Sequence, residues 1–350
     1  MTFDITPGAP PPSTPTAHVD AIDAVLPRWG LRRAGEPVPV ADSVLNNNYR
    51  VDTSGGPRFV RIHKPTRTRE TVAGEVRMME HAGAAGIPVY PPLPANDGAI
   101  VQGSGGLLLS VWPWLEGHTL ARGGVVPAAA AALGDMHGRL DTALADFRDA
   151  TLRPGRGGAN WDTESSIAVL SRVDDLIRYY PAVPEMQVRV QETIRFRLRF
   201  LEGGAARPMS DFGGLTVQAS HGDYHERNVM FTEDGSVLAV VDWEGRTVVP
   251  RVFGLIRAVD FCGILGSASQ VGYIDAYGKH VRLSPEECRL GVEMWWQSVL
   301  HDAWALRVRF IEGDHRVERF FGEDGERLAV LADPEFRARL AETLVSTLSG

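Results

Sequence analysis

The sequence predicts an α+β protein of two lobes, a strand-rich first third followed by a mostly helical remainder. Two observations carry this. Short apolar segments bounded by glycine, asparagine and proline crowd the region before residue 113, and longer segments with helical spacing dominate after it. A chain of 350 residues also exceeds what one compact core usually serves. The expected layout is a tail over residues 1–17, a first lobe over 18–112 and a second over 113–350.

Each element has its own signal. Pro7, Pro10, Pro11, Pro12 and Pro15, mixed with small polar residues, have little to bury, so the tail is expected to be disordered. A short amphipathic helix follows at 18–29. Strands are expected at 38–44, 49–53 and 59–63, with Asn46-Asn47-Asn48 between the first two and Ser54-Gly55-Gly56-Pro57 turning the next hairpin. Val72, Val76, Met79 and Ala82 recur at helical spacing through 70–85, and Gly86-Ile87-Pro88 ends that helix. Strands at 99–102 and 107–112, joined by Gly103-Ser104-Gly105-Gly106, complete a five-stranded antiparallel sheet plus one helix. Helices are then expected at 127–140, 164–180, 184–202, 254–265, 271–277, 284–312 and 334–348. The clearest start is Ser284, followed by Pro285, Glu286 and Glu287: a cap, a proline at the first helical position and acids in the first turn.

Charge narrows the function classes. A formal net charge of −8 disfavours nucleic acid and anionic membrane as partners, because phosphate-rich surfaces reward basic ones. Cys262 and Cys288 are too few for a disulfide framework or a cysteine zinc site. No basic-then-apolar leader opens the chain, and no apolar run is long enough to span a bilayer, so a cytoplasmic protein is expected. Nearly every basic residue is arginine; the lysines are Lys64 and Lys279.

The chemistry is concentrated in His221-Gly222-Asp223-Tyr224-His225-Glu226-Arg227-Asn228 and the later Asp242-Trp243-Glu244. Phosphoryl transfer from a magnesium nucleotide needs a carboxylate to orient the attacking hydroxyl, an amide oxygen for the metal and a second carboxylate joining metal to phosphates. Asp223, Asn228 and Asp242 supply that set, and the Asp-x-x-x-x-Asn spacing is that of a kinase catalytic loop. Asp223 is the expected catalytic base, and Asn228 and Asp242 the expected Mg2+ ligands. Asp242 follows the strand-like run 237–241, which would set its carboxylate at a strand end. His221 and His225 are expected to hold the loop backbone; a zinc hydrolase would need a further ligand that the sequence does not supply.

These motifs resemble the aminoglycoside phosphotransferase family, which includes choline, homoserine, methylthioribose and fructosamine kinases. The resemblance implies a bilobal protein-kinase-like fold. Glycine stands after the first histidine where protein kinases carry arginine, and no Ala-Pro-Glu segment follows Asp242. It also implies nucleotide contacts in the first lobe. Phe59-Val60-Arg61-Ile62-His63 resembles the strand that presents a phosphate-binding lysine, with Arg61 in its place and Lys64 as the fallback, and Glu75 matches the helix acid that pairs with it. Asn46-x-x-Tyr49 resembles the phosphate loop, although the usual glycines are missing. Residues 107–113 resemble the segment that reads adenine, with Ser110 C=O and Trp112 N–H as the expected base contacts.

The resemblance sets the substrate over Asp223. Glu293, Trp296, His301 and Asp302 are its candidate contacts, aromatic and acidic groups suited to a sugar or an amine-bearing ligand. The expected activity is an ATP- or GTP-dependent O-phosphotransferase using Mg2+ on a hydroxyl of a small molecule, an aminoglycoside-like antibiotic or other natural product. The alternatives are a metabolite kinase of the homoserine, choline or fructosamine type, or a non-catalytic nucleotide-binding regulator on the same fold.

Overall fold

The computed structural model describes residues 14–40, 46–155, 158–177, 179, 184–321 and 324–349. It divides the chain into two compact units, Met1–Glu80 with Val89–Glu116, and His81–Pro88 with Gly117–Gly350.

The first unit opens with α1 (Thr16–Val25), which begins inside the stretch expected to be a tail; residues 1–13 lie outside the described residues. Strands β1 (Val38–Pro39), β2 (Asn47–Thr53), β3 (Gly56–His63), β4 (Gln102–Ser104) and β5 (Leu107–Pro113) form one antiparallel sheet in the order β1-β2-β3-β5-β4, with α2 (Arg69–Ala84) between β3 and β4 in sequence. Most of the remainder of the strand expected at 38–44 falls on residues 41–45, outside the described residues. Alternation explains the core. Val60 and Ile62 join Tyr49, Val51, Leu109 and Val111 beneath Ile22 and Val25 of α1, all buried. Arg61, one residue out of phase, lies on the other face of β3, where its guanidinium sits over Phe59 and Trp112.

The second unit is mostly helical. Its helices are α3 (Pro127–Leu144), α4 (Thr163–Ile177), α5 (Pro184–Phe200), α6 (Arg251–Phe261), α7 (Ala268–Tyr277), α8 (Pro285–His301), α9 (Trp304–Phe310), α10 (Asp324–Ala332) and α11 (Pro334–Leu348). The helix expected over 284–312 is two helices, because Asp302 turns the chain and its carboxylate accepts from Trp304 N–H at 2.9 Å. The start of α8 is as expected, a capping box between Ser284 and Glu287. Helices α3 and α7 meet through Gly134 and Gly138: a Cβ there would lie 2.1 Å from Tyr273 O and 2.7 Å from Tyr277 O. Among the described residues no helix is long and apolar enough to cross a membrane.

Short strands complete the unit. β6 (His118–Thr119), β8 (Val229–Phe231) and β9 (Val237–Val240) form one antiparallel sheet, and β7 (Val217–Ser220) pairs with β10 (Thr247–Pro250). The two ladders position the site.

Candidate active site

Strand β7 delivers the chain to His221, and β8 carries it away after Asn228. In the β8–β9 ladder Val229 pairs with Val240, and just beyond it Val241 N–H donates to Asn228 O at 2.9 Å. Asn228 and Asp242 therefore emerge at the same end of that ribbon. In the other ladder Thr247 faces Ser220, which brings the turn at Gly245 against Asp223. That approach is close: a Cβ on Gly245 would lie 2.9 Å from Asp223 Cβ, and one on Gly222 would lie 2.0 Å from Gly245 O. Gly222 also has φ +77°, so only glycine meets both demands.

Side chains fix the loop from within. His221 accepts from Asp223 N–H at Nδ1 (3.3 Å) and donates from Nε2 to Val241 O (2.9 Å), a bridge from the loop to the residue before Asp242. Both ring nitrogens are thus engaged with backbone, and burial lowers its pKa to about 4, which keeps it neutral. His225 Nδ1 accepts from Arg227 N–H at 3.2 Å, while Nε2 lies 3.6 Å from Asp223 Oδ2. Burial opposes charge on this ring, yet Asp223 and Glu226 outweigh it and raise its pKa. Asn228 donates from Nδ2 to Asp223 O (2.7 Å) and to Asp223 Oδ2 (3.2 Å). These contacts use the NH2 half of the amide and leave its oxygen for another role.

Asp223 has one strong partner. Arg257 of α6 donates to its Oδ1 at 2.8 Å, and the same guanidinium lies 4.1 Å from the centre of the Phe261 ring. Burial would raise the carboxyl of Asp223, but Arg257, with His225, overcomes this and holds it well below the usual carboxylate range. Its side chain retains 38% exposure, so it remains open to a ligand. Arg257 was not foreseen, because it stands 34 residues away on a helix whose pattern reads simply as core.

Asp242 has φ +59°, the one left-handed residue other than glycine among those described. Asp and Asn tolerate this region better than other side chains. Asn228 and Asp242 are oxygen donors, the ligand type that hard cations prefer and softer metals do not.

In the first unit, buried Glu75 is paired with Arg67, from the loop before α2. Arg67 was missed because it lies beyond the strand that signals the position. Arg61 is buried and donates from Nε to Asn48 Oδ1 at 3.2 Å. Asn46 is buried at the head of β2.

The register of β5 corrects the expected base contacts. Neighbouring residues of an antiparallel strand send their backbone groups to opposite sides. Val111 O accepts from Leu93 N–H at 2.7 Å, so Val111 faces away from β3. Ser110 and Trp112, opposite Arg61 and Phe59, therefore turn their N–H and C=O groups into the β3 ladder. The Ser110 hydroxyl is also engaged, with His63 Nε2 at 2.9 Å and Trp112 Nε1 at 2.8 Å. Pairing stops at Pro113, and residues 114–117 lie outside any ladder.

The four expected substrate contacts each have partners within the second unit. Trp296 is buried edge-on against Phe200, with Arg337 over its ring. Glu293 accepts from Arg337 Nε at 2.8 Å. His301 donates from Nδ1 to Gln297 O, meets Thr163 through Nε2 and stacks on Trp161. Asp302 closes the turn before α9. The side of α8 that meets α6 presents Trp295, whose Nε1 donates to Asp260 Oδ2 at 3.0 Å.

A family model described as the phosphotransferase enzyme family matches residues 37–290. The chain belongs to that family. A protein of Deinococcus radiodurans is 26% identical over 201 residues, 55% of this chain and 53% of its own length. A homoserine kinase of Brucella ovis is 30% identical over 108 residues, 31% of this chain and 32% of its own. The chain thus spans about half the length of the first relative and a third of the second. Among solved structures, spectinomycin phosphotransferase in complex with ADP and spectinomycin superimposes with a TM-score of 0.61 at 12% identity, covering 92% of this chain and 96% of that one. A microcompartment-associated aminopropanol kinase gives 0.61 at 14% identity, covering 91% and 97%. Amicoumacin kinase in complex with AMP-PNP and Ca2+ gives 0.55 at 14%, covering 89% of each chain. These likenesses establish the bilobal kinase-like fold of this phosphotransferase family member.

Proposed function

We propose that this family member transfers the γ-phosphoryl group of a nucleoside triphosphate, ATP or GTP, to a hydroxyl of a small molecule. The observation that carries the reading is the gathering of Asp223, Asn228 and Asp242 at one end of two interlocked ladders. The nucleotide-bound states of the amicoumacin and spectinomycin kinases support it for the fold.

Asn228 Oδ1 and the Asp242 carboxylate would hold Mg2+, which when bound neutralises charge on the phosphates. Asp223 accepts a hydrogen bond from the acceptor hydroxyl and aims its oxygen at the γ-phosphorus. As the new P–O bond forms, the bond from phosphorus to the β–γ bridging oxygen breaks, and its electron pair leaves with the nucleoside diphosphate. A carboxylate held so low by Arg257 is a weak base, so Asp223 receives the hydroxyl proton late and its main work is orientation. In the first unit, Arg61 and Arg67, less the one negative charge of Glu75, would leave net positive charge for phosphates, and residues 114–116 would offer unladdered backbone for a base.

The test is transfer of phosphate, followed by mass, from Mg-ATP and Mg-GTP to a panel of hydroxylated small molecules. Asp223→Asn should lower turnover by roughly 100-fold or more, the usual contribution of such a group. Turnover unaltered in that variant would refute the role given to Asp223, and nucleotide binding without any turnover would refute transfer chemistry and favour a regulatory nucleotide binder.

A further inference from the structure

Asp223 meets one guanidinium, and a second lies over the same ring as the first. Arg257 uses Nη2 on Asp223, and its Nε is buried without a hydrogen-bond partner. Phe261, one helical turn further along α6, carries Arg257 at 4.1 Å from its ring centre and Arg327 of α10 at 5.8 Å. Two arginines of different helices therefore share one ring, which holds guanidinium planes in place and limits water around them. Asp260, an acid beside the two arginines, is already engaged: Trp295 Nε1 donates to Oδ2 at 3.0 Å and Arg327 Nη1 lies 3.9 Å from the same oxygen. Burial raises the pKa of Asp260, while Arg327, Arg122 and Arg257 oppose that rise, a sign that positive charge surrounds it. Two acids expected to meet an ammonium group are used elsewhere, Glu293 by Arg337 and Asp302 by the turn into α9, and Glu226 is buried beside His225.

We propose that the phosphoryl acceptor is a small hydroxy acid, its carboxylate held between Arg257 and Arg327 beside Phe261 and its hydroxyl resting on Asp223. Guanidinium suits this task because its planar fork matches carboxylate geometry and its charge does not titrate. The inference rests on the kinase reading and departs from the amine-bearing ligands expected from the sequence.

The experiment offers Mg-ATP with three hydroxy acids (glycerate, γ-hydroxybutyrate and homoserine), the amino alcohols ethanolamine and aminopropanol, neutral glycerol, and glycerol phosphate. Transfer is followed by mass and binding by thermal shift. At least one hydroxy acid should be phosphorylated with kcat/KM well above the amino alcohols. Arg327→Gln should raise its KM roughly 10- to 100-fold, the value of a charge-assisted hydrogen bond, with kcat little changed. Arg327→Lys, which keeps the charge on a different geometry, should fall between. A preference for amino alcohols, acceptance of no hydroxy acid while nucleotide is still turned over, or a KM indifferent to Arg327→Gln would each overturn the proposal and leave the kinase reading standing. Transfer to glycerol phosphate alone would overturn the carboxylate. Absence of nucleotide turnover with every compound would overturn this inference, and the wider panel of hydroxylated molecules would then decide the kinase reading.

Discussion

Asp141 offers the sharpest test of how the second unit is built. It sits on α3 between helices, with Tyr277 Oη donating to its Oδ2 at 2.7 Å and His137 Nε2 lying 3.8 Å from Oδ1. Burial pushes its pKa up to about 7, the hydroxyl of Tyr277 and the charge of Arg251 only partly opposing it. In the unfolded chain the carboxyl titrates near 3.8. The folded value is raised, so its contribution is most favourable below the unfolded pKa and is lost as pH rises towards the folded one. Above pH 7 the loss approaches three pKa units at 1.36 kcal/mol each, about 4 kcal/mol. Asp141→Asn keeps shape and neutrality at every pH. The stability of the variant relative to the parent should therefore grow steadily from pH 4 to pH 7 and then level. Urea unfolding at one-unit pH steps measures it. His137 and His221, whose pKa values burial lowers to about 3 and about 4, contribute the opposite slope, but both chains share it. A stability difference that stays constant between pH 4 and pH 8 would refute the argument.

Two further outcomes are expected. Gly222→Ala places a side chain in a left-handed backbone, at about 1–2 kcal/mol, and within 2.0 Å of Gly245 O; its melting temperature should fall, and its turnover should fall by far more than the lost folded fraction explains. Arg257→Gln removes the charge that holds Asp223 low; the profile of nucleotide hydrolysis against pH should gain an acid limb near the usual carboxylate range, and a profile unchanged in a folded variant would show that Arg257 is not the cause.

What was legible in the sequence was local. The Asp-x-x-x-x-Asn spacing and the strand before Asp242 lie within 20 residues of each other, and the ladders that join them are short-range. The alternation that buries Val60 and Ile62 likewise sets Arg61 on the opposite face. Long-range choices were not legible. Which side of β5 Ser110 faces depends on Leu93, which caps the other edge. Arg67, a partner of Glu75, came from a loop, and Arg257, a partner of Asp223, from a helix 34 residues on. Trp296 and Glu293 misled because a helix buried nearly all round carries the same residues as one lining a cleft. Position in the packing, not residue type, separates the two.

The left-handed backbone of Asp242 has a bearing on divergence. A descendant that abandoned catalysis would be free to lose the carboxylate, but not the conformation, because the turn into Trp243 would persist. Drift at this site should therefore run to Asn or Gly rather than to Ala or Val. A relative carrying Asn or Gly there, with the rest of the loop intact, would mark a lineage that kept the scaffold and gave up the carboxylate.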